Sequence, residues 1–123
     1  MSRGDGSTRV ARVARTVRDE LVSLLSAEVK DPDARGVVVT GVEMTSDLQL
    51  GRVRVRLLED GDEQQRRRLL KALERARPFL RREVTGRLGL RRAPDLRFEY
   101  DLGVDQASRV EALLAEISSE RRK

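Results

Sequence analysis

A proline at position 78 stands inside a stretch of helical periodicity, LERARPFLRRE (Leu73 to Glu83), and it constrains the fold more than any other single residue. Proline has no N–H to donate and its ring collides with the preceding turn, so it costs an uninterrupted helix about 3 kcal/mol. The residue before it, Arg77, is biased towards extended backbone. The pattern therefore predicts a break between two helices. The first is marked by Leu69, Leu70, Leu73 and Ala76; the second starts a new apolar stripe at Phe79, Leu80, Val84 and Leu88 and stops between Gly86 and Gly89.

Upstream, Val10, Val13, Ala14, Val17, Leu21, Leu24 and Leu25 follow helical spacing from Thr8, and Lys30-Asp31-Pro32 is a stop signal close behind them. The β-branched run from Val37 to Met44 predicts a strand buried on both faces at its start. From Leu50 to Leu58, Val53, Val55 and Leu57 alternate with Arg52, Arg54 and Arg56, the period of a half-buried strand. The short polar link Thr45 to Gln49 makes these two strands a hairpin. Asp60-Gly61-Asp62 then breaks the chain, and an Asp at a helix start suits the dipole. Leu96, Phe98 and Tyr100 alternate with Arg97 and Glu99 in a third strand, and Ala107, Val110, Leu113, Leu114 and Ile117 space a last helix. The expected order is α-β-β-α-break-α-β-α, a single α+β domain over residues 8–118. Residues 1–7 read as a flexible tail and residues 119–123 as a charged end.

Composition removes whole classes of chemistry. The chain has no Cys and no His, so it has no disulfide, thiol nucleophile or imidazole base. No GxxxxGK[ST] loop is present, and no GxGxxG follows a strand. Asp31-Pro32-Asp33 is too sparse for a calcium loop and reads as a helix terminator. The expectation is a non-enzyme without cofactor or metal. The N-terminal MSRGDGST lacks an apolar core and no apolar run approaches the roughly 18 residues of a membrane span, which predicts a soluble, cytoplasmic protein.

Charge points to a partner. Residues 63–92 hold 11 Lys and Arg against 3 Asp and Glu, whereas residues 1–62 hold 10 against 11 and residues 93–123 hold 5 against 7. One quarter of the chain thus carries the whole positive excess, which favours a polyanion, most simply nucleic acid. Codon bias explains the choice of Arg over Lys but not this segregation. Around the expected break the candidates are Lys71, Arg75, Ala76, Arg77, Pro78, Arg81 and Arg82, extended by Arg87, Arg91 and Arg92. For any one of them a solvated helix face is the bland alternative; the cluster beside a break is what carries weight. Only three aromatics exist, and Phe79 and Phe98 lie in apolar stripes that belong to a core, so base stacking has little to work with. Phosphate contact and shape remain. A protein–protein adaptor and a general nucleic-acid-binding protein are the alternatives.

Taken in order, several short segments resemble the bacterial ribosome-binding factor A family. They are Arg12-Val13-Ala14, Val29-Lys30-Asp31-Pro32, Val42-Glu43-Met44, Ser46-Asp47-Leu48, Val53-Arg54-Val55, Ala76-Arg77-Pro78-Phe79-Leu80-Arg81, and Pro94-Asp95-Leu96-Arg97-Phe98 with Asp101. The resemblance runs from about Arg9 to Ile117. It implies a type II KH-like domain, α-β-β-α-kink-α-β with an additional C-terminal helix, in which an Ala-any-Gly kink replaces the GxxG loop. It also implies a monomeric, non-catalytic assembly factor that binds the free 30S subunit and 16S rRNA. Such factors act late in subunit maturation and support 16S rRNA precursor processing and cold adaptation. The sequence departs from the family pattern where Pro78 replaces the kink glycine, where Gly51 replaces an alanine, and where Asp33 replaces an arginine.

Overall fold

The computed structural model describes residues 2–59, 61–103 and 114. Helix α1 (Ser2–Ala27) begins ahead of the Thr8 start read from the apolar spacing. Its stripe of Val17, Leu21, Leu24 and Leu25 is buried, with Val10, Val13 and Ala14 packed at its margin. The stop lies where expected: Glu28 and Val29 both donate to the Leu24 carbonyl. Asp31 then caps a single 3-10 turn, Pro32–Ala34, by accepting from the Asp33 N–H at 3.0 Å. Proline at the first position of that turn loses nothing, because its N–H would have had no partner there.

Strands β1 (Val37–Met44) and β2 (Leu50–Leu57) form the antiparallel hairpin, and β3 (Asp95–Tyr100) lies parallel to β2, giving the sheet order β1-β2-β3. A parallel neighbour needs a crossover, and helix α2 (Glu63–Leu88) supplies it. The strand period sorts the residues cleanly. Val53, Val55, Leu96 and Phe98 join the core under both helices, while Arg52, Arg54, Arg56, Arg97 and Glu99 stand on the open face. β1 is an edge strand, so Val37 and Val38 are only half-buried and the expected two-sided burial does not occur. The register shifts between Val39 and Gly41, leaving Thr40 unpaired in the ladder. Its hydroxyl donates to Asp101 at 2.7 Å and ties β1 to the end of β3.

The expected break at Pro78 is not a break between helices: α2 is one 26-residue helix with Pro78 inside it. Three physical reasons account for this. The helix is closed at both ends, by an Asp62–Gln65 capping box and by Gly89 in the left-handed conformation at φ 65°. Leu69 and Leu73 before the proline and Leu80 and Val84 after it are all fully buried along one line. At about 1.5–3 kcal/mol for each such side chain, this burial outweighs the roughly 3 kcal/mol that the proline costs. Finally, Pro78 itself is exposed, so its ring is turned to solvent and displaces no packed neighbour. The observed order is α-β-β-α-β, and of the last expected helix only Leu114 lies among the described residues.

Candidate nucleic-acid interface

The ten residues singled out around Pro78 do not form one patch. With about 100° of turn per residue, Lys71, Arg75 and Arg82 lie within about 20° of the line opposite buried Leu73, and Pro78 lies close beside them. Arg77 and Arg81 sit instead on the flank that faces β3, and Ala76 is half-buried against the core.

The flank residues are tied to the protein. Arg81 donates from Nε to the Pro94 carbonyl at 3.0 Å and from Nη2 to the Ala93 carbonyl at 3.3 Å, holding the segment that enters β3. Arg77 lies 3.5 Å from Glu74 and 3.7 Å from Asp95. Arg87 reaches across to α1 and pairs with Glu20 at 2.7 Å, and this bond holds its guanidinium above its ordinary pKa. Arg75, although on the outer line, is turned to the 3-10 segment: it bonds Asp31 at 2.8 Å and lies 3.8 Å from Asp33. The Arg75 hydrogen bond, with the Asp33 N–H second, holds the Asp31 carboxyl below the usual carboxylate range. Asp33, which departs from the family pattern, therefore joins the acidic pair that engages Arg75.

Among the described residues the side chains of Lys71, Arg82, Arg91 and Arg92 have no hydrogen bond or ion pair, and all four residues are exposed. Arg68 shares their state and lies on the same outer side of α2, one turn before Lys71; its spacing in the sequence marks it, and it belongs with the candidates. Arg9 was beyond the reach of sequence reasoning. It stands beside Arg91 and Arg92 around a cavity of about 500 Å³ at the hairpin end of the sheet.

The aromatic residues are occupied. Phe98 is buried and Phe79 is packed against the core. The Arg66 guanidinium covers the Tyr100 ring at 5.1 Å from its centroid, and the Tyr100 hydroxyl accepts from the Leu57 N–H at 3.0 Å. On the open sheet face Arg54 is paired with Glu43, while Arg52 and Arg97 stand side by side in the β2–β3 ladder with no ion pair among the described residues. What the surface offers a ligand is thus fixed positive charge, not a stacking platform. No group of His, Cys, Asp or Glu among the described residues could hold a metal ion.

Comparison with known proteins decides the family. The ribosome-binding factor A family model matches residues 9–114. The chain belongs to the ribosome-binding factor A family. It is 40% identical to ribosome-binding factor A of Brevibacillus brevis over 116 residues, 94% of each chain. The family protein of Macrococcus caseolyticus is 35% identical over 115 residues, 94% of this chain and 99% of that one. The crystal structure of ribosome-binding factor A from Thermus thermophilus is 26% identical and superposes with a TM-score of 0.55, covering 76% of this chain and 93% of that one. A Thermus thermophilus homology model fitted into a cryo-EM map of a 30S–RbfA complex is 27% identical, with a TM-score of 0.52, covering 73% of this chain and 88% of that one. The resemblance read from the short segments is borne out, and within the family the continuous α2 carries a proline where the pattern has glycine.

Proposed function

We propose that this chain is a cytoplasmic 30S maturation factor, a monomeric type II KH-like domain that binds 16S rRNA without making or breaking a bond. It would act late in subunit assembly, promote processing of the 16S rRNA precursor and matter most in the cold. The observation that carries the reading is the row of unpaired cations on the outer face of α2, Arg68, Lys71 and Arg82, in a chain whose family relative has been fitted into a 30S complex. The α-β-β start and the parallel pairing of β3 with β2 support the KH-like assignment, with the single helix α2 standing where that order has two. Among the described residues no helix is long and apolar enough to cross a membrane.

Pro78 changes how such a face would meet RNA. It offers no N–H to a phosphate at that point, where the family pattern has glycine. Sedimentation of a cell lysate on a sucrose gradient tests the function: the protein should travel with free 30S subunits and be missing from 70S ribosomes. Recovery only at the top of the gradient would overturn the reading.

A further inference from the structure

The cavity at the hairpin end joins parts of the chain that are remote in sequence: Arg9 of α1, Leu48 and Gln49 of the β1–β2 turn, and Leu90, Arg91 and Arg92 beyond α2. We propose that it receives one unstacked nucleotide of single-stranded RNA and prefers a base that carries an exocyclic amino group. The proposal rests on the RNA-binding reading above and gives it a base-reading site separate from the α2 face.

Four observations converge. The volume, about 500 Å³, falls in the range of roughly 300–1,000 Å³ that suits small ligands. Three unpaired guanidiniums surround it, enough to hold the phosphates on either side of a base. Leu48 and Leu90 provide apolar wall, and both remain half-exposed although Leu48 also touches the core. In a protein whose aromatics are occupied, aliphatic walls are what remains to cover the faces of a base.

The turn that presents Leu48 is strained and firmly held. Leu48 has φ 60°, the only non-glycine residue with positive φ among those described. Glycine or asparagine would adopt that conformation more cheaply. The turn is fixed from several sides: the Leu48 N–H donates to the Thr45 carbonyl at 2.9 Å, the Leu50 N–H to the Thr45 hydroxyl at 3.1 Å, and the Asp95 N–H to the Gln49 carbonyl at 2.8 Å. Strain kept by such over-determination is typical of ligand sites.

Asp47 gives the site its preference. It lines the cavity; its Oδ1 accepts from the Thr45 hydroxyl at 2.6 Å and from the Gln49 N–H at 3.1 Å, and among the described residues no other residue engages its Oδ2. A carboxylate accepts from the amino groups of cytosine, adenine or guanine; uracil presents a carbonyl in place of the amino group and has only its N3–H to donate, which makes it the poorer ligand. The Gln49 side-chain amide, also without a partner, adds one donor and one acceptor.

Fluorescence anisotropy with labelled oligo(A), oligo(C) and oligo(U) octamers on the full chain tests this, beside 30S co-sedimentation of the same preparations. Oligo(A) and oligo(C) should bind at least five-fold more tightly than oligo(U). Arg9→Ala and Leu90→Ala should each weaken oligo(A) binding by five-fold or more with the melting temperature checked in parallel. Asp47→Asn, which keeps the Oδ1 acceptor of the turn, should bring the oligo(A) to oligo(U) ratio towards one. Equal affinity for the three octamers, or an unchanged ratio in Asp47→Asn, overturns the nucleotide site. Should the protein bind 30S yet show no octamer binding, the cavity proposal alone falls; failure to bind 30S removes the RNA reading on which it stands.

Discussion

Arg81 and Arg82 are adjacent on α2, yet one is structural and the other is surface. Arg81 holds two carbonyls of the segment entering β3, whereas Arg82, about 100° further round the helix and opposite Leu73, has no side-chain partner among the described residues. The same division separates Arg75, Arg77 and Arg87 from Lys71, Arg91 and Arg92. Positive charge in one segment therefore serves two purposes. Cations on the flanks of α2, together with Arg75 on its outer line, satisfy carboxylates and carbonyls of neighbouring segments, and Lys71, Arg82 and the arginines of the following loop keep their charge available. An exposed, unpaired arginine costs little to keep and gives a phosphate its full Coulombic and hydrogen-bonding capacity. A paired one must first be released.

The sharpest test concerns the line that divides these regions. Pro78→Ala should restore the missing N–H at an exposed site and raise unfolding free energy by about 2–3 kcal/mol in urea titration, with 30S binding retained. A lower stability in this variant would mean that the proline, not the burial around it, shapes α2. Next in size, Arg81→Ala should cost about 1–3 kcal/mol because two carbonyls lose their donors. Arg82→Ala should stay within about 0.5 kcal/mol of the parent. Equal effects at the two positions would erase the comparison.

Replacing Lys71, Arg82, Arg91 and Arg92 together by alanine should leave the thermal midpoint nearly unchanged and weaken 30S binding. If each cation neutralises one phosphate of unpaired RNA, the slope of log affinity against log salt should become shallower by about 3. An unaltered slope would move the RNA surface to Arg52 and Arg97 on the open sheet face. The smallest expected effect is on acid stability. Asp31 is held below its ordinary value of 3.8 first by Arg75, so its stabilising contribution is complete above about pH 4 and is lost as pH falls through the lowered folded-state value. Asp101, held low chiefly by the Thr40 hydroxyl, follows the same sign. Melting curves between pH 6 and pH 2 should show a slightly flatter acid limb in Asp31→Asn; a steeper limb would contradict the pairing.

Local pattern made most of the fold legible. The alternation of Val53 and Val55 with Arg52, Arg54 and Arg56 identified a half-buried strand, and the stripe of Leu21, Leu24 and Leu25 identified α1, because strand and helix periods are set by backbone geometry alone. Pro78 misled for the same reason. Its local cost is real, but the decisive energy comes from Leu73 and Leu80 joining one core with Val53, Val55, Leu96 and Phe98 of strands remote in sequence. The candidate cations were visible as a charge run, but their state was not. The partner of Arg75 lies 44 residues upstream and that of Arg87 lies 67 residues upstream.

By itself, then, the sequence determined the α+β class, the alternating faces, the stop after α1 at Lys30-Asp31-Pro32, the absence of thiol and imidazole chemistry, and the family. Each of these follows from residue type or short-range spacing. Tertiary structure decided that β3 lies parallel to β2, that α2 runs through its proline, which arginines are tied and which are available, and that Arg9 meets Arg91 and Arg92 around one cavity. Those outcomes depend on contacts between distant segments, whose energies exceed the local preferences of the backbone that they overrule.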